Sequence, residues 1–298
     1  MEKFTVLFGV DTETDVGSFT PFYESIPVGV PILLDIFDEK NVGATFYFTG
    51  ECAKMNPDIA KLVNARGYEV GGHSLYHETV GDELFPIPGV KPLLPHEVEP
   101  RLKIATEWIE EAAGVRPTSF RCPRLWGSTA VVNALENLGY TSDATYPMYF
   151  YRERFAPYYP SREDWTKEGD STVLEIPNFA DMVMESNDGD LQRDRDQWPE
   201  FRTKGAKFVA DKVASYLEFC KDKGIEKPVI AFYIHPWEFV PCKESYHFGE
   251  STVYPDEFII RNTGDVAIKE LRDLIDLLKD MGAEFKAARD IVKDYPRK

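Results

Sequence analysis

The chain has 298 residues, 43% of them hydrophobic and 29% charged, which is enough to bury a large core as one big domain or two ordinary ones. Its formal net charge of -17 argues against a nucleic-acid backbone or an anionic membrane surface as partner. No basic stretch followed by a long apolar run opens the chain, and no segment is apolar for long enough to span a bilayer. The four cysteines (Cys52, Cys122, Cys220, Cys242) are scattered without a Cys-x-x-Cys, so we expect reduced thiols and a cytoplasmic protein.

Phe4 to Val10 is a β-rich run that ends at Asp11, and residues 12–26 read as a loop. A helix is expected from about Pro31, a good first-turn residue, to Lys40. Ala44 to Phe48 is a buried-type strand, and Asn56-Pro57 opens a helix that Gly67 stops. Tyr68 to Val70 reads as a short strand, after which Gly71 and Gly72 let the backbone turn toward His73 and His77. That four-residue spacing puts both imidazoles on one face of a helical turn. A proline-rich loop (79–95) precedes a helix from His96 to Ala113, closed by Gly114. Ser119 to Arg121 is a short strand, and Ser128 caps a helix that runs to Leu138. Tyr140 to Ser142 and Thr172 to Ile176 are further strand candidates, separated by an aromatic, proline-rich insertion at 144–170. An acidic loop (181–199) leads to a helix over Lys204 to Lys223, then to the strong strand Val229 to Ile234, which ends at His235. After a loop (236–264), Val266 to Met281 has the apolar spacing of an amphipathic helix, and a short strand and helix close the chain.

Seven or eight strands alternating with helices mean parallel βα units, and residues 1–298 read as one domain, either a barrel or a doubly wound sheet. No Gly-x-Gly-x-x-Gly follows the first strand, which counts against a dinucleotide-binding sheet. In a parallel barrel the carboxyl ends of the strands share one face, and here four of them end in reactive groups: Asp11 and Glu13, His73 and His77, Arg121, and His235. Glu13, His73 and His77 would make a two-His, one-carboxylate metal set with positions left open for water and substrate. Asp11 could then take a proton from water, Arg121 could hold Asp11 ionised, and His235 could protonate a leaving nitrogen.

The order Asp11-Thr-Glu13, His73-Ser-Leu-Tyr-His77, Arg121-Cys-Pro-Arg-Leu-Trp-Gly127 and Ile234-His235-Pro-Trp-Glu238 resembles the polysaccharide deacetylase family, also called the NodB-homology or carbohydrate esterase 4 family. The resemblance runs from residue 4 to about 290. It implies an α/β fold, a distorted (β/α) barrel of about seven parallel strands. It also implies metal-dependent hydrolysis of an N-acetyl or related amide, with a divalent ion that is zinc first and cobalt, nickel or manganese otherwise. By position, Asp11 resembles the family's general base, His73 and His77 its metal ligands, Arg121 the residue that orients the base and His235 the general acid. The family's usual adjacent aspartates are replaced here by Asp11-Thr12-Glu13, a spaced pair similar to that of allantoinase-like, cyclic-amide relatives. Glu13 is therefore taken as the third ligand, with Asp15 as the alternative. The aromatic that usually follows Arg-x-Pro is Arg124, which suits a substrate carboxylate. Trp126 and Trp237 are expected to wall the pocket, and Asp143 is the candidate for the family's Asp/Trp motif. The expected substrate is an N-acetylated amino sugar or oligosaccharide; a cyclic amide is the alternative and a non-catalytic binding protein the lesser one. Association into a homo-oligomer is expected, and no nucleic-acid or membrane partner.

Overall fold

In the computed structural model, which describes residues 3–297, seven strands carry the cleft. They are β1 (Phe4–Thr12), β2 (Ala44–Phe48), β3 (Glu69–Gly72), β4 (Ser119–Phe120), β5 (Ser142–Asp143), β6 (Leu174–Glu175) and β7 (Val229–Ile234). Strands β1 to β6 pair in chain order, all parallel, and β7 lies on the other side of β1. The closing strand Ala283–Phe285 pairs with Phe4 to Val6, leaving Phe8 to Thr12 to pair with β2. Between β6 and β7 the ladder thins to isolated bridges. Asn178 pairs with Pro147 and Ala231, and the Phe179 N–H donates to the Ala231 carbonyl at 2.9 Å. The sheet thus curls round on itself as the distorted (β/α) barrel expected from the sequence.

The strands are buried on both faces, which is why β7 reads as an unbroken apolar run, Val-Ile-Ala-Phe-Tyr-Ile. Their outer face is covered by the helices Ile26–Lys40, Ala206–Asp222 and Asp265–Asp280. Phe8 packs its ring on Phe37, Phe232 and Phe285 at 5.5–5.8 Å, and the last of those helices contributes Leu271, Leu274, Ile275 and Leu278 at helical spacing. The inward face mixes apolar Leu7, Val229 and Ala231 with the buried polar groups Tyr47, Glu69 and Arg121.

Several local expectations need correction. The first helix begins at Ile26, with Pro31 inside it. Its start is set by Asp15, which accepts hydrogen bonds from the Glu24 and Ser25 N–H groups and from the Ser25 hydroxyl. Gly29 allows the close packing that follows, since a Cβ there would lie 2.2 Å from the Pro236 carbonyl oxygen. The helix expected over residues 204–223 forms as Ala206–Asp222, and Gly205, at φ 98°, separates it from a further short helix, Glu200–Thr203, that was not expected. A small antiparallel hairpin, Tyr246–Phe248 with Ser251–Val253, interrupts the loop expected over 236–264.

Candidate active site

β1 delivers Asp11 and, one residue past its end, Glu13 to the carboxyl-end face of the sheet. β3 stops at Gly72, but the His73 N–H still donates to the Phe48 carbonyl at 2.8 Å, which fixes where the imidazole starts. The expected helical turn does not form. Ser74 and His77 take left-handed backbone angles (φ 65° and 59°), and this bent loop brings the two rings together instead. His73 Nε2 lies 3.1 Å and His77 Nε2 2.5 Å from the same Glu13 Oε2, and ligand atoms of all three lie within 4.8 Å of one another.

The chemistry of this trio fits a cation. His73 Nδ1 is 2.7 Å from the Arg121 carbonyl, which can only accept, so Nδ1 carries the proton and Nε2 turns its lone pair to the Glu13 carboxylate. Two acceptors face to face call for a positive charge between them. Burial opposes ionisation of Glu13, yet the surrounding His77, His73 and His235 outweigh it and hold the carboxyl well below its usual range. Burial also pushes the His77 pKa down, with Glu13 only partly offsetting it. A neutral imidazole and an ionised carboxylate are the protonation states a metal ligand needs. Asp15 is not available as the third ligand, because its carboxylate is spent on the start of the first helix.

Beside the trio, Arg121 Nη1 donates to Asp11 Oδ1 at 2.8 Å. The guanidinium is completely buried and otherwise held by backbone: Nε donates to the Ala144 carbonyl at 2.9 Å and Nη2 to that of Phe232 at 3.4 Å, with the Tyr47 ring 4.6 Å away. Gly9 makes the space for it, since a Cβ at that position would sit 2.1 Å from Nη1. Across the floor, His235 Nε2 is 4.0 Å from Glu13 Oε1, and His235 Nδ1 is 2.9 Å from Glu238 Oε1. Arg202 Nε donates to Glu238 Oε2 at 2.6 Å, and Trp198 Nε1 to Oε1 at 3.1 Å. Burial alone would lower the His235 pKa. The Glu238 hydrogen bond and the charges of Glu13, Glu238 and Asp11 reverse that, so the imidazole is held protonated to a higher pH than usual.

The cleft above these groups encloses about 880 Å³ out to its open mouth, and Asp11, Glu13, His73, His77 and His235 all line it. Trp237 lines the cleft, its ring stacked on that of His235 with centroids 5.3 Å apart. Arg124 also lines the cleft, and Nη1 donates to the His77 carbonyl and the Thr79 hydroxyl; it and Leu125 both have positive φ, so this turn bulges into the cleft. Trp126 does not line it. The indole is fully buried with Phe85 packed edge-on against it, and Phe85 takes the place at the wall. Asp143 does not line the cleft; its side chain is completely buried, at the register position of Phe120 on the neighbouring strand. The sequence assigned no role to Glu238, Arg202 or Trp198, nor to Arg193, which also lines the cleft. Glu238 had a local signal, since Pro at the first position of a turn with Glu two residues on is a helix-start pattern that folds the carboxylate back on the residue before. Arg202, Trp198 and Arg193 sit in or beside a polar stretch with no such signal.

Residues 16–142 match the polysaccharide deacetylase family model. The chain is 26% identical over 114 residues to a peptidoglycan-N-acetylglucosamine deacetylase of Bacillus cereus (38% of this chain, 48% of that one), and 39% identical over 51 residues to a chitooligosaccharide deacetylase of Sinorhizobium fredii (17% and 24%). The chain therefore spans at most about half the length of these curated relatives. Among solved structures, a Mycobacterium smegmatis protein assigned to the polysaccharide deacetylases superposes with a TM-score of 0.61 at 18% identity, over 98% of this chain and 91% of that one. A carbohydrate esterase 4 family pseudoenzyme from Bacillus anthracis superposes with a TM-score of 0.52 at 14% identity (97% and 66%). These two likenesses are of fold.

Proposed function

We propose that the chain is a member of the polysaccharide deacetylase family, whose model its residues 16–142 match, and that it is a metal-dependent hydrolase that removes the acetyl group from an N-acetylated amino sugar, free or within an oligosaccharide. We read residues 1–298 as a single catalytic domain. One observation carries the reading. The Glu13–His73–His77 set, an arginine-held carboxylate and a glutamate-held imidazole converge on one cleft floor.

Amide hydrolysis needs a base for the attacking water, stabilisation of the oxyanion and an acid for the leaving nitrogen. Glu13, His73 and His77 would hold the ion, zinc by donor type, although cobalt, nickel or manganese suits the same set. When bound, such an ion supplies Lewis-acid polarisation of the carbonyl and acidifies water. Asp11 takes the proton from the attacking water, and Arg121 holds its carboxylate in place at the cleft floor. His235, kept protonated by Glu238, gives its proton to the amine nitrogen as the C–N bond breaks, and the water oxygen leaves with the acetate. Trp237 limits how the imidazole can turn by stacking on it. Arg124, at the wall, would meet a carboxylate on the sugar.

A ring-opening amidase for a cyclic amide would use the same groups, and the spaced Asp11-Thr12-Glu13 pair favours that second reading. The test is release of acetate from N-acetylglucosamine oligomers, set against ring opening of allantoin, with zinc, cobalt, nickel and manganese supplied in turn. Acetate release that disappears in Asp11→Asn while the bound metal remains supports the deacetylase. Neither product with any of the four ions would assign the chain to a non-catalytic binding role.

A further inference from the structure

Beside the segment whose Ala144 carbonyl holds Arg121 Nε, two carboxyl groups meet on adjacent strands. Asp143 closes β5 and Glu175 closes β6, and the two residues stand at the same register position of the parallel ladder. Both are completely buried. Each has one oxygen satisfied. Asp143 Oδ1 accepts from the Thr145 hydroxyl, and Glu175 Oε1 accepts the N–H groups of Thr145 and Tyr146 at 2.9 and 2.7 Å. The other two oxygens, Asp143 Oδ2 and Glu175 Oε2, have no donor among the described residues. Two buried carboxylates on adjacent strands cannot both be ionised at tolerable cost, and a proton held between the unpartnered oxygens would satisfy both at once.

The pair is wired to the cleft. Glu175 holds the amides of residues 145 and 146, the preceding Ala144 carbonyl holds Arg121 Nε, and Arg121 Nη1 holds Asp11. We propose that Asp143 and Glu175 share one proton and act as a positioning couple, a single internal counter-charge that seats Arg121 against Asp11 and, by losing that proton, limits activity at high pH. The role in activity rests on Asp11 being the base; the shared proton does not. The other groups that face the pair are Arg121 and Cys122 at the end of β4, Tyr47 on β2 and Tyr158 in the 144–170 insertion, with Asp11 beyond the guanidinium. Of these only Arg121 is cationic, and it lowers the pair's proton affinity by less than burial raises it. Burial carries Asp143 up to about 7 and Glu175 well above its ordinary value. The two titrate as one system.

Once the second proton is gone, two like charges on neighbouring strands push β5 from β6, and the Ala144 carbonyl that anchors Arg121 moves with them. Glu175→Gln mimics the protonated partner and cannot lose its proton. Asp143→Asn is the mirror variant, should Glu175→Gln fail to fold, and the double variant removes the counter-charge altogether.

Three measurements test the couple. A wild-type-minus-Glu175→Gln infrared difference at neutral pH should contain a carboxylic-acid C=O band, and so should the difference against Asp143→Asn. Absence of the band from both differences would overturn the shared proton. Second, a carboxyl whose folded-state pKa is raised gives stability that is full below the ordinary carboxylate range and is lost as pH rises through the folded value, here from about 4 to at least 7. The melting temperature of the wild type should fall over that window more than that of Glu175→Gln, and parallel curves would refute the couple. Third, in amide hydrolysis, Glu175→Gln should move the high-pH decline in kcat upward, to the limb that His235 sets by losing its own proton, and the double variant should lose about tenfold in kcat with little change in KM. An unchanged alkaline limb in an active Glu175→Gln would sink the positioning role. Hydrolysis absent from the wild type as well would count against the deacetylase reading, while the infrared and melting results would still judge the shared proton.

Discussion

Gly9 is the position where one methyl group should disable the cleft from behind. In Gly9→Ala the new Cβ would lie 2.1 Å from Nη1 and 2.4 Å from Nη2 of Arg121, against a normal carbon contact of about 3.5 Å. The guanidinium has nowhere to go within its seat, because Nε and Nη2 are held by the Ala144 and Phe232 carbonyls and the Tyr47 ring lies alongside. It must therefore leave Asp11. Overpacking a buried site costs about 1–3 kcal/mol, and breaking a buried ion pair about 3–5 kcal/mol. The two describe the same displacement, so we take about 3–5 kcal/mol in total, which corresponds to a fall in melting temperature on the order of 10 °C. Thermal and urea unfolding measure it, and a double-mutant cycle with Arg121→Met identifies the cause. With the guanidinium gone the methyl has room, so Gly9→Ala should cost about 1–3 kcal/mol less in that background. A Gly9→Ala protein that melts with the wild type, or one that loses the same amount in both backgrounds, would refute this account of Arg121.

Glu238→Gln removes what raises the His235 pKa, so the high-pH limb of kcat/KM, where the imidazole loses the proton it must donate, should move to lower pH; a limb that stays in place would show that His235 is not the acid. Asp15→Asn should leave the metal content of the purified protein unchanged while destabilising the first helix by about 1–2 kcal/mol, whereas Glu13→Gln should strip the metal. The reverse result by mass spectrometry would make Asp15 the ligand. Arg124→Ala should raise KM at least tenfold for an acetylated sugar that carries a carboxylate and hardly change it for the neutral sugar; equal effects on both would end the carboxylate assignment.

The stretches that bear the chemistry were legible because they are encoded by near neighbours. A β-rich run that ends at Asp11, a strand that ends in two glycines before His73, and Val229 to Ile234 ending at His235 each announce a strand end from local composition. Alternation with helices then places those ends on one face. Local rules failed where the backbone departed from regular form. The His73 to His77 segment brings its two imidazoles together through left-handed residues rather than the helical turn that the spacing implied.

What the sequence by itself determined is the order of parallel βα units and the identity of the side chains at the strand ends, because strand and helix periodicity are set by residues within a few positions of each other. Only the tertiary structure decided the partnerships. It gave Glu13 rather than Asp15 to the histidines, since Asp15 was taken by Ser25, and it buried Trp126 behind Phe85 while Trp198 reached Glu238. It also set Gly9 beneath a guanidinium that Asp11 holds from 110 residues away. Such contacts depend on how far the sheet curls and where its register closes, and these are properties of the whole packed barrel that no short window of residues contains.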